Sequence, residues 1–425
     1  MHTIPPSFFP FYPRSARAAW GRSALPVMLL AALGLVLLTL GSGPAHAQSF
    51  PGAPDSSIGT NLRVYPLVLW SPRVGPGVGL GGVAHNLGRQ HGRLLLTAAP
   101  ARYEQVATIS YASANPSTAR RYVLLDARGL HTDRDWFYGS GPAAADTGRV
   151  TLGRSALSIG LRVGQRVEGT PLTLQPEAKL SLHRLDAGSA ASEERSAALP
   201  PLGQTQTGVR VGLSAAFDAR SGSFPGETGL LLQGAAHRYL PLAGPAPTFD
   251  QFRGSAYGSV SLGGPHRLVA RLSGTLTAPR STGAVPYFLL PSVEGALVPG
   301  WARDRFVGRD RLMGSLLYRF PVAHFGDVVS LQGYVGGHVA SVYDDLETQF
   351  EAAVSFEKDL GSGRDTYPLR PSASAGVRLG LPFRNDEWLD LALGLSPEGL
   401  TAVRVTFARP IWDLRPIHHG PPRHP

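Results

Sequence analysis

Val209-Arg210-Val211-Gly212-Leu213-Ser214-Ala215-Ala216-Phe217-Asp218 is the stretch that decides the fold. Read with a period of two, one face carries Val209, Val211, Leu213, Ala215 and Phe217. The other carries Arg210, Gly212, Ser214, Ala216 and Asp218. Successive side chains of a strand point to opposite sides, so this strand is greasy on one side and small or charged on the other. The zigzag recurs at Leu157, Ile159, Leu161 and Val163 against Ser158, Gly160 and Arg162. It returns at Ala373 to Leu381, at Leu389 to Leu395, and at Val403, Val405 and Phe407 against Ala402, Arg404 and Thr406. Dyad runs of roughly ten residues, separated by Gly, Pro, Asp and Ser, are how a transmembrane β-barrel is written in sequence. Lipid offers the backbone no water, and only a closed sheet has no unpaired edge. A soluble sandwich or propeller also alternates. Here, however, the segments are long, no blade or solenoid period is present, and arginine occupies the polar face in strand after strand.

Working outward, the pattern predicts an all-β antiparallel barrel of about sixteen strands over 62–409. The first eight segments fall at 62–70, 76–86, 91–98, 104–113, 120–129, 148–165, 171–184 and 208–220. The second eight fall at 229–240, 250–262, 266–277, 310–320, 327–339, 370–381, 387–395 and 400–409. The longest connections, 130–147, 185–207, 278–309 and 340–369, all follow odd-numbered strands, as expected if long loops lie on one side and short turns on the other. Tyr122, Phe252, Trp388 and Trp412 are candidates for aromatic girdles at the membrane surfaces.

Composition narrows the class further. The 425 residues include 51 glycines, 37 prolines and no cysteine, which excludes disulfide scaffolds, thiolate metal sites and cysteine nucleophiles. With 43% hydrophobic residues and a mean hydropathy of −0.02, the chain is too apolar for disorder and too polar for a bundle of membrane helices. The net charge of +10 comes almost wholly from scattered arginines, since Lys179 and Lys358 are the only lysines. No basic run interleaves with aromatics, so nucleic acid is not expected as a partner.

At the N-terminus, Arg14, Arg17 and Arg22 precede an apolar run from Ala24 to Leu40, then Gly41-Ser42-Gly43-Pro44 and Ala45-His46-Ala47. This is the layout of a secretory signal peptide over 1–47. It predicts export, with a short Pro/Gly/Ser lead-in at 48–61 and a Pro/His/Arg tail at 410–425.

Several stretches resemble the barrel of the BamA/TamA superfamily, the bacterial surface antigen type of outer-membrane protein. Tyr65-Pro66 through Trp70-Ser71-Pro72, with Gly79-Leu80-Gly81-Gly82, is similar to that family's first hairpin. Trp136-Phe137-Tyr138-Gly139-Ser140-Gly141 resembles its aromatic-glycine element in an early loop, and Phe217-Asp218-Ala219-Arg220 its Asp-x-Arg turn. The most specific match is Val298-Pro299-Gly300-Trp301 with Arg303, Arg305 and Arg309, leading into Leu316-Leu317-Tyr318-Arg319-Phe320-Pro321. The resemblance implies an outer-membrane location and a long loop folded into the lumen. It also implies a role in insertion or translocation of membrane proteins or lipids, or as a surface antigen. Outer-membrane lipids would surround it, with outer-membrane protein clients or periplasmic partners. The family's loop arginine is Pro299 here, its strand glutamate is Leu317, and its later acidic position is Gly336 in Tyr334-Val335-Gly336. Both halves of the family's internal ion pair are thus replaced together, and Arg303 or Arg305 is expected to substitute by pairing with Asp304 or a wall acid. The lead-in has no room for the family's periplasmic repeat domains.

The alternation assigns Arg162, Lys179, Arg210, Arg253, Arg267, Arg271, Arg319, Arg378 and Arg404 to the inner wall, against Glu177, Asp218 and Asp390. Such an excess of fixed cations would make a passive anion-permeable channel. Alternatively, the arginines pair with loop carboxylates such as Asp304, Asp310, Glu347 and Glu351 and plug the barrel. No catalytic, cofactor or metal site is expected. His183, His237, His266 and His338 stand alone in sequence, no Gly-x-Ser-x-Gly element occurs, and the glycines at 75–82 precede no helix.

Overall fold

The computed structural model describes residues 61–69, 73–87, 92–114, 119–141, 149–187, 202–221, 228–293, 298–302, 304–325, 329–346, 349, 369–380 and 388–407. The expected leader, nearly all of the lead-in, and the tail lie outside the described residues, as do Arg303, Glu347, Glu351 and Trp412. Sixteen strands follow one another. They are β1 Asn61–Leu69, β2 Gly77–Leu87, β3 Gly92–Pro100, β4 Glu104–Ala112, β5 Arg121–Phe137, β6 Val150–Arg166, β7 Leu172–Ala187 and β8 Thr205–Asp218. Then come β9 Gly229–Ala243, β10 Phe249–Gly263, β11 His266–Pro279, β12 Asp310–Phe325, β13 Val329–Tyr343, β14 Arg370–Gly380, β15 Trp388–Ser396 and β16 Gly399–Phe407. They form one antiparallel sheet in chain order from β1 to β16. The edge strands β1 and β16 approach one another, but no ladder joins them among the described residues.

Each expected segment is a strand, although several run longer than the alternation suggested. β5 continues to Phe137 rather than stopping at 129, β8 begins at Thr205, and β13 reaches Tyr343. The cause is visible on the outer face. Leu161, Val163, Val211, Leu213 and Phe217 form an exposed apolar belt across β6 and β8. The belt ends at a polar row in which His131, Ser155, Arg184 and Thr205 stand in register on β5 to β8. Beyond that row the aliphatic alternation stops, but the backbone ladder of β5 goes on. β4 begins at Glu104 opposite Thr132, so the rest of β5 rises above its neighbour.

A bulge between Thr132 and Asp135 inserts one residue into β5, because Thr132 faces Arg154 and Asp135 faces Leu152. The inserted residue reverses the parity of the strand. Even-numbered residues point inward before it, and Asp135 and Phe137 point inward after it, both buried. The Trp136-Phe137 part of the aromatic-glycine element therefore belongs to a strand, which corrects its placement in a loop.

Inside, tyrosines lie across glycines on the neighbouring strand. Tyr122 is paired with Gly164 and Tyr334 with Gly376, and a Cβ on either glycine would collide with the tyrosine ring. Gln175 Nε2 donates to the Tyr122 hydroxyl at 2.5 Å. Tyr122 is thus an interior residue and not part of a girdle; the missing side chain of Gly164 is what admits it. Phe252 remains on the outer face, 46% exposed. Replacing Gly164 with alanine overpacks this joint and is expected to destabilise the barrel by about 1–3 kcal/mol. A urea titration followed by the folded-to-unfolded gel shift should show the midpoint falling.

Candidate functional site

The site is the 280–309 connection and the inner wall that it meets. Tyr287–Leu289 forms a single 3-10 turn. The segment then doubles back, with Ser292 bridged to Val307 and the Val293 N–H donating to the Phe306 carbonyl at 2.9 Å. Its apolar side chains reach widely separated strands. Tyr287 and Val307 pack with Phe137, Val150, Leu152 and Leu185 of β5 to β7. Leu289 packs with Tyr239 and Phe249 of β9 and β10. Val293, Val298, Trp301 and Phe306 pack with Met313, Ala340 and Val342 of β12 and β13. A segment touching so many strands from within lies across the mouth of the barrel.

The Val298-Pro299-Gly300-Trp301 stretch meets β15. Leu393 and Leu395 face outward and are exposed, so Gly394 between them faces inward. A Cβ on Gly394 would collide with the Pro299–Gly300 backbone, and one on Gly300 would come within 2.7 Å of the Leu395 carbonyl oxygen. Gly300 also has φ of +105°, a left-handed conformation that glycine adopts without strain. Two glycines thus let two backbones touch. Trp301 is buried, its ring edge-on to Phe306 at 5.1 Å between centroids.

Charge fixes the other side of the loop. Asp135, fully buried, binds Arg73, accepts from Arg154 Nη1 at 3.4 Å and accepts from the Tyr287 hydroxyl at 2.9 Å. Arg73 also donates to Asp304 at 3.1 Å, and Ser292 donates to the other oxygen of Asp304 at 2.7 Å. Among the described residues Asp304 is the one non-glycine with positive φ, +58°, and these two contacts hold it there. Burial opposes the charge on Arg73, but Asp304, Asp135 and Glu104 outweigh it and raise the guanidinium above its ordinary value. Burial, reinforced by the neighbouring Asp135 charge, pushes the Tyr287 phenol well up, so it stays protonated as a donor.

Arg305 donates to Glu398, in the turn between β15 and β16, at 3.0 Å. Its guanidinium lies 4.5 Å from the ring centres of both Tyr138 and Phe306. Arg370 covers Phe306 at 3.6 Å. Of the alternatives expected for Arg305, Asp304 or another acid, its ion pair is with Glu398 in the last hairpin, while Arg73 donates to Asp304. Arg303 lies outside the described residues. Asp310 accepts the backbone N–H groups of Thr277 and Leu346, each at 2.8 Å.

The other candidates lie along the strands away from the loop. Arg162 donates to Asp126 at 3.4 Å, and Arg210 stands opposite Lys179. Arg253 donates to Gln251, and Arg267 closes the β10–β11 hairpin by donating to Ser261. Arg271 and Arg220 cover Tyr257 at 5.5 and 5.6 Å, with Arg220 bound to Asp218 at 2.7 Å. Arg319 is buried, and Arg378 sits over Tyr334 at 4.9 Å. Arg404 occupies the position opposite Ala392, and its side chain is outside the description. Sequence reading missed Arg73, Asp135, Arg154, Tyr287 and Glu398, the residues that fasten the loop. Among the described residues no three His, Asp or Glu side chains gather as a metal ion would need.

The fold is one already seen in solved barrels. BamA from Haemophilus ducreyi lacking POTRA domains 1–3 matches with a TM-score of 0.51 at 13% identity, over 82% of this chain and 69% of that one. CdiB from Escherichia coli matches with a TM-score of 0.52 at 11% identity, over 82% of this chain and 61% of that one, so this chain spans less than two thirds of its length. No protein-family model matches, and no curated protein matches. The resemblance read from the sequence thus holds for the fold.

Removing the Asp135 carboxylate takes from Arg73 one of the acids that offset its burial and takes from Arg154 its carboxylate contact. Asp135→Asn is expected to cost about 3–5 kcal/mol, and to expose the loop to added protease in reconstituted vesicles. The double variant Arg73→Gln with Asp135→Asn should recover only part of the lost stability, since the central pair is removed together while Arg154 and Asp304 each lose one partner.

Proposed function

We propose that this chain is an outer-membrane β-barrel that helps insert or translocate membrane proteins or lipids, with the seam between β1 and β16 as its working edge. The observation that carries this reading is the contrast in the sheet. Every consecutive pair from β1 to β16 shares a ladder, whereas β1 and β16 lie near each other with none among the described residues. Strand edges offer a row of N–H and C=O groups to any partner strand, and in hydrocarbon an unpaired group costs several kcal/mol. An edge of this kind takes an incoming strand by adding it to the sheet. Pro66 on β1 has no ladder donor, which weakens closure there.

Supporting features are the exposed apolar belt, which suits a bilayer, and the fold shared with the BamA and CdiB barrels. The Arg305–Glu398 pair ties the loop to the final hairpin, so movement at the seam and movement of the loop are mechanically linked. Outer-membrane lipids would surround the belt, and membrane-protein clients or periplasmic partners would meet the edge. No catalytic step is required. The basic inner wall favours a second reading, a passive anion-permeable channel. The loop seated across the mouth weighs for the first.

Cysteines introduced one at a time along β1, each combined with one along β16, test the seam. Reversible disulfide formation across the edge, with release on reduction and trapping of a nascent strand in its place, is expected. Steady anion conductance in planar bilayers, abolished when the inner arginines are neutralised and unaffected by locking the seam, would transfer the function to the second reading.

A further inference from the structure

The inner wall of β5 to β9 carries a pair of facing cations that the seam and the loop contacts described above do not engage. Asp126, Gly160, Lys179, Arg210 and Tyr239 stand in register across these five strands. Val211 and Leu213 are exposed on the outer face of β8, so Arg210, of opposite parity, faces the lumen. Lys179 is directly opposite it on β7. Two cations facing each other on adjacent strands destabilise a sheet. Charges of both signs act on them: Asp126 and Arg162 lie within electrostatic reach of Lys179, and Arg253 and Glu177 of Arg210.

The acids close by are already engaged. Asp126 takes Arg162 at 3.4 Å, and Glu177 is bound to His237. Among the described residues no carboxylate forms a salt bridge with Lys179 or Arg210. An ionisable side chain at membrane depth that is not consumed by a structural pair marks a ligand site or path. An ammonium beside guanidinium groups is the chemistry that recognises phosphate, by point charge and by forked hydrogen bonds.

We propose that the lumen wall at Lys179 and Arg210, flanked by Arg162 and Arg253, binds a phosphate-bearing ligand. A multiply charged phosphate would relieve the repulsion between the facing cations and complete the row. The site lies on the strands away from the seam, so the inference stands or falls independently of seam opening.

The test is calorimetric titration of the full chain, folded in zwitterionic detergent, with two probes: inorganic pyrophosphate, and micelles doped with phosphatidylglycerol. Saturable binding that weakens with added salt is expected. Arg210→Gln and Lys179→Gln should each weaken it by about tenfold, the loss of one charge-assisted hydrogen bond. Lys179→Arg should retain it, and Arg238→Gln, on the outer face, should leave it unchanged. Each variant is checked for the gel shift of a folded barrel, and Lys179→Arg guards against a folding defect. Pyrophosphate binding assigns a free phosphate compound; binding of the doped micelles alone assigns a lipid headgroup. Binding of neither probe, or equal affinity in Arg210→Gln, Lys179→Gln and the unaltered protein, overturns the proposal.

Discussion

A backbone amide in hydrocarbon must find its partner within the protein, and every element of this chain follows from that requirement. The sheet runs through all sixteen strands without a break in neighbour order. Turns are only two residues long where the backbone permits, as at Gly264-Pro265 and Pro397-Glu398. Once the outer faces are committed to lipid, polar residues have only the lumen and the rims to occupy. The arginines are then internal by exclusion, and the chain must do something with their charge. At the mouth it pairs them with acids; farther along the wall it leaves Lys179 and Arg210 face to face.

The mouth holds its buried charges in an arrangement different from the one the resemblance implied. The expected loop arginine and strand glutamate are both absent as Pro299 and Leu317. In their stead Asp135 gathers Arg73, Arg154 and Tyr287, while Arg305 crosses to Glu398. Buried charge is tolerable only when it is matched and hydrogen-bonded. The network meets that condition by drawing its members from β5, β6, the first turn, the long loop and the last hairpin. The loop is consequently fastened at points far apart in the chain, and backbone contact at Gly300 and Gly394 adds a fixing that needs no side chain at all.

Period-two alternation was enough to locate all sixteen strands because lipid and lumen impose opposite chemistry on neighbouring residues. It failed where that contrast ends. Beyond the row of His131, Ser155, Arg184 and Thr205 the belt gives way to loop and rim, so β5 lost its signature while keeping its ladder. The bulge at Thr132–Asp135 hid Asp135 for the same reason, since a parity change looks like irregular loop. Arg73 follows Pro72 in a turn with no period to read, and its partner lies 62 residues away. Tyr122 misled because an aromatic near a strand end suggests an interface, whereas Gly164 draws it inside. Of the loop, the Val298–Trp301 stretch was legible through its likeness to a known pattern, while the identity of the acid that meets Arg305 was not.

The step between β4 and β5 gives the molecule a handedness that its strand order alone does not. From His131, Phe137 stands about 20 Å farther along the strand, while β4 has already turned back at Glu104. The wall is therefore a collar on one flank, sloping down toward the short strands β1 to β4, each of 9 to 11 residues. The rim thus stands highest over β5 and lower on the flank where the first strand lies.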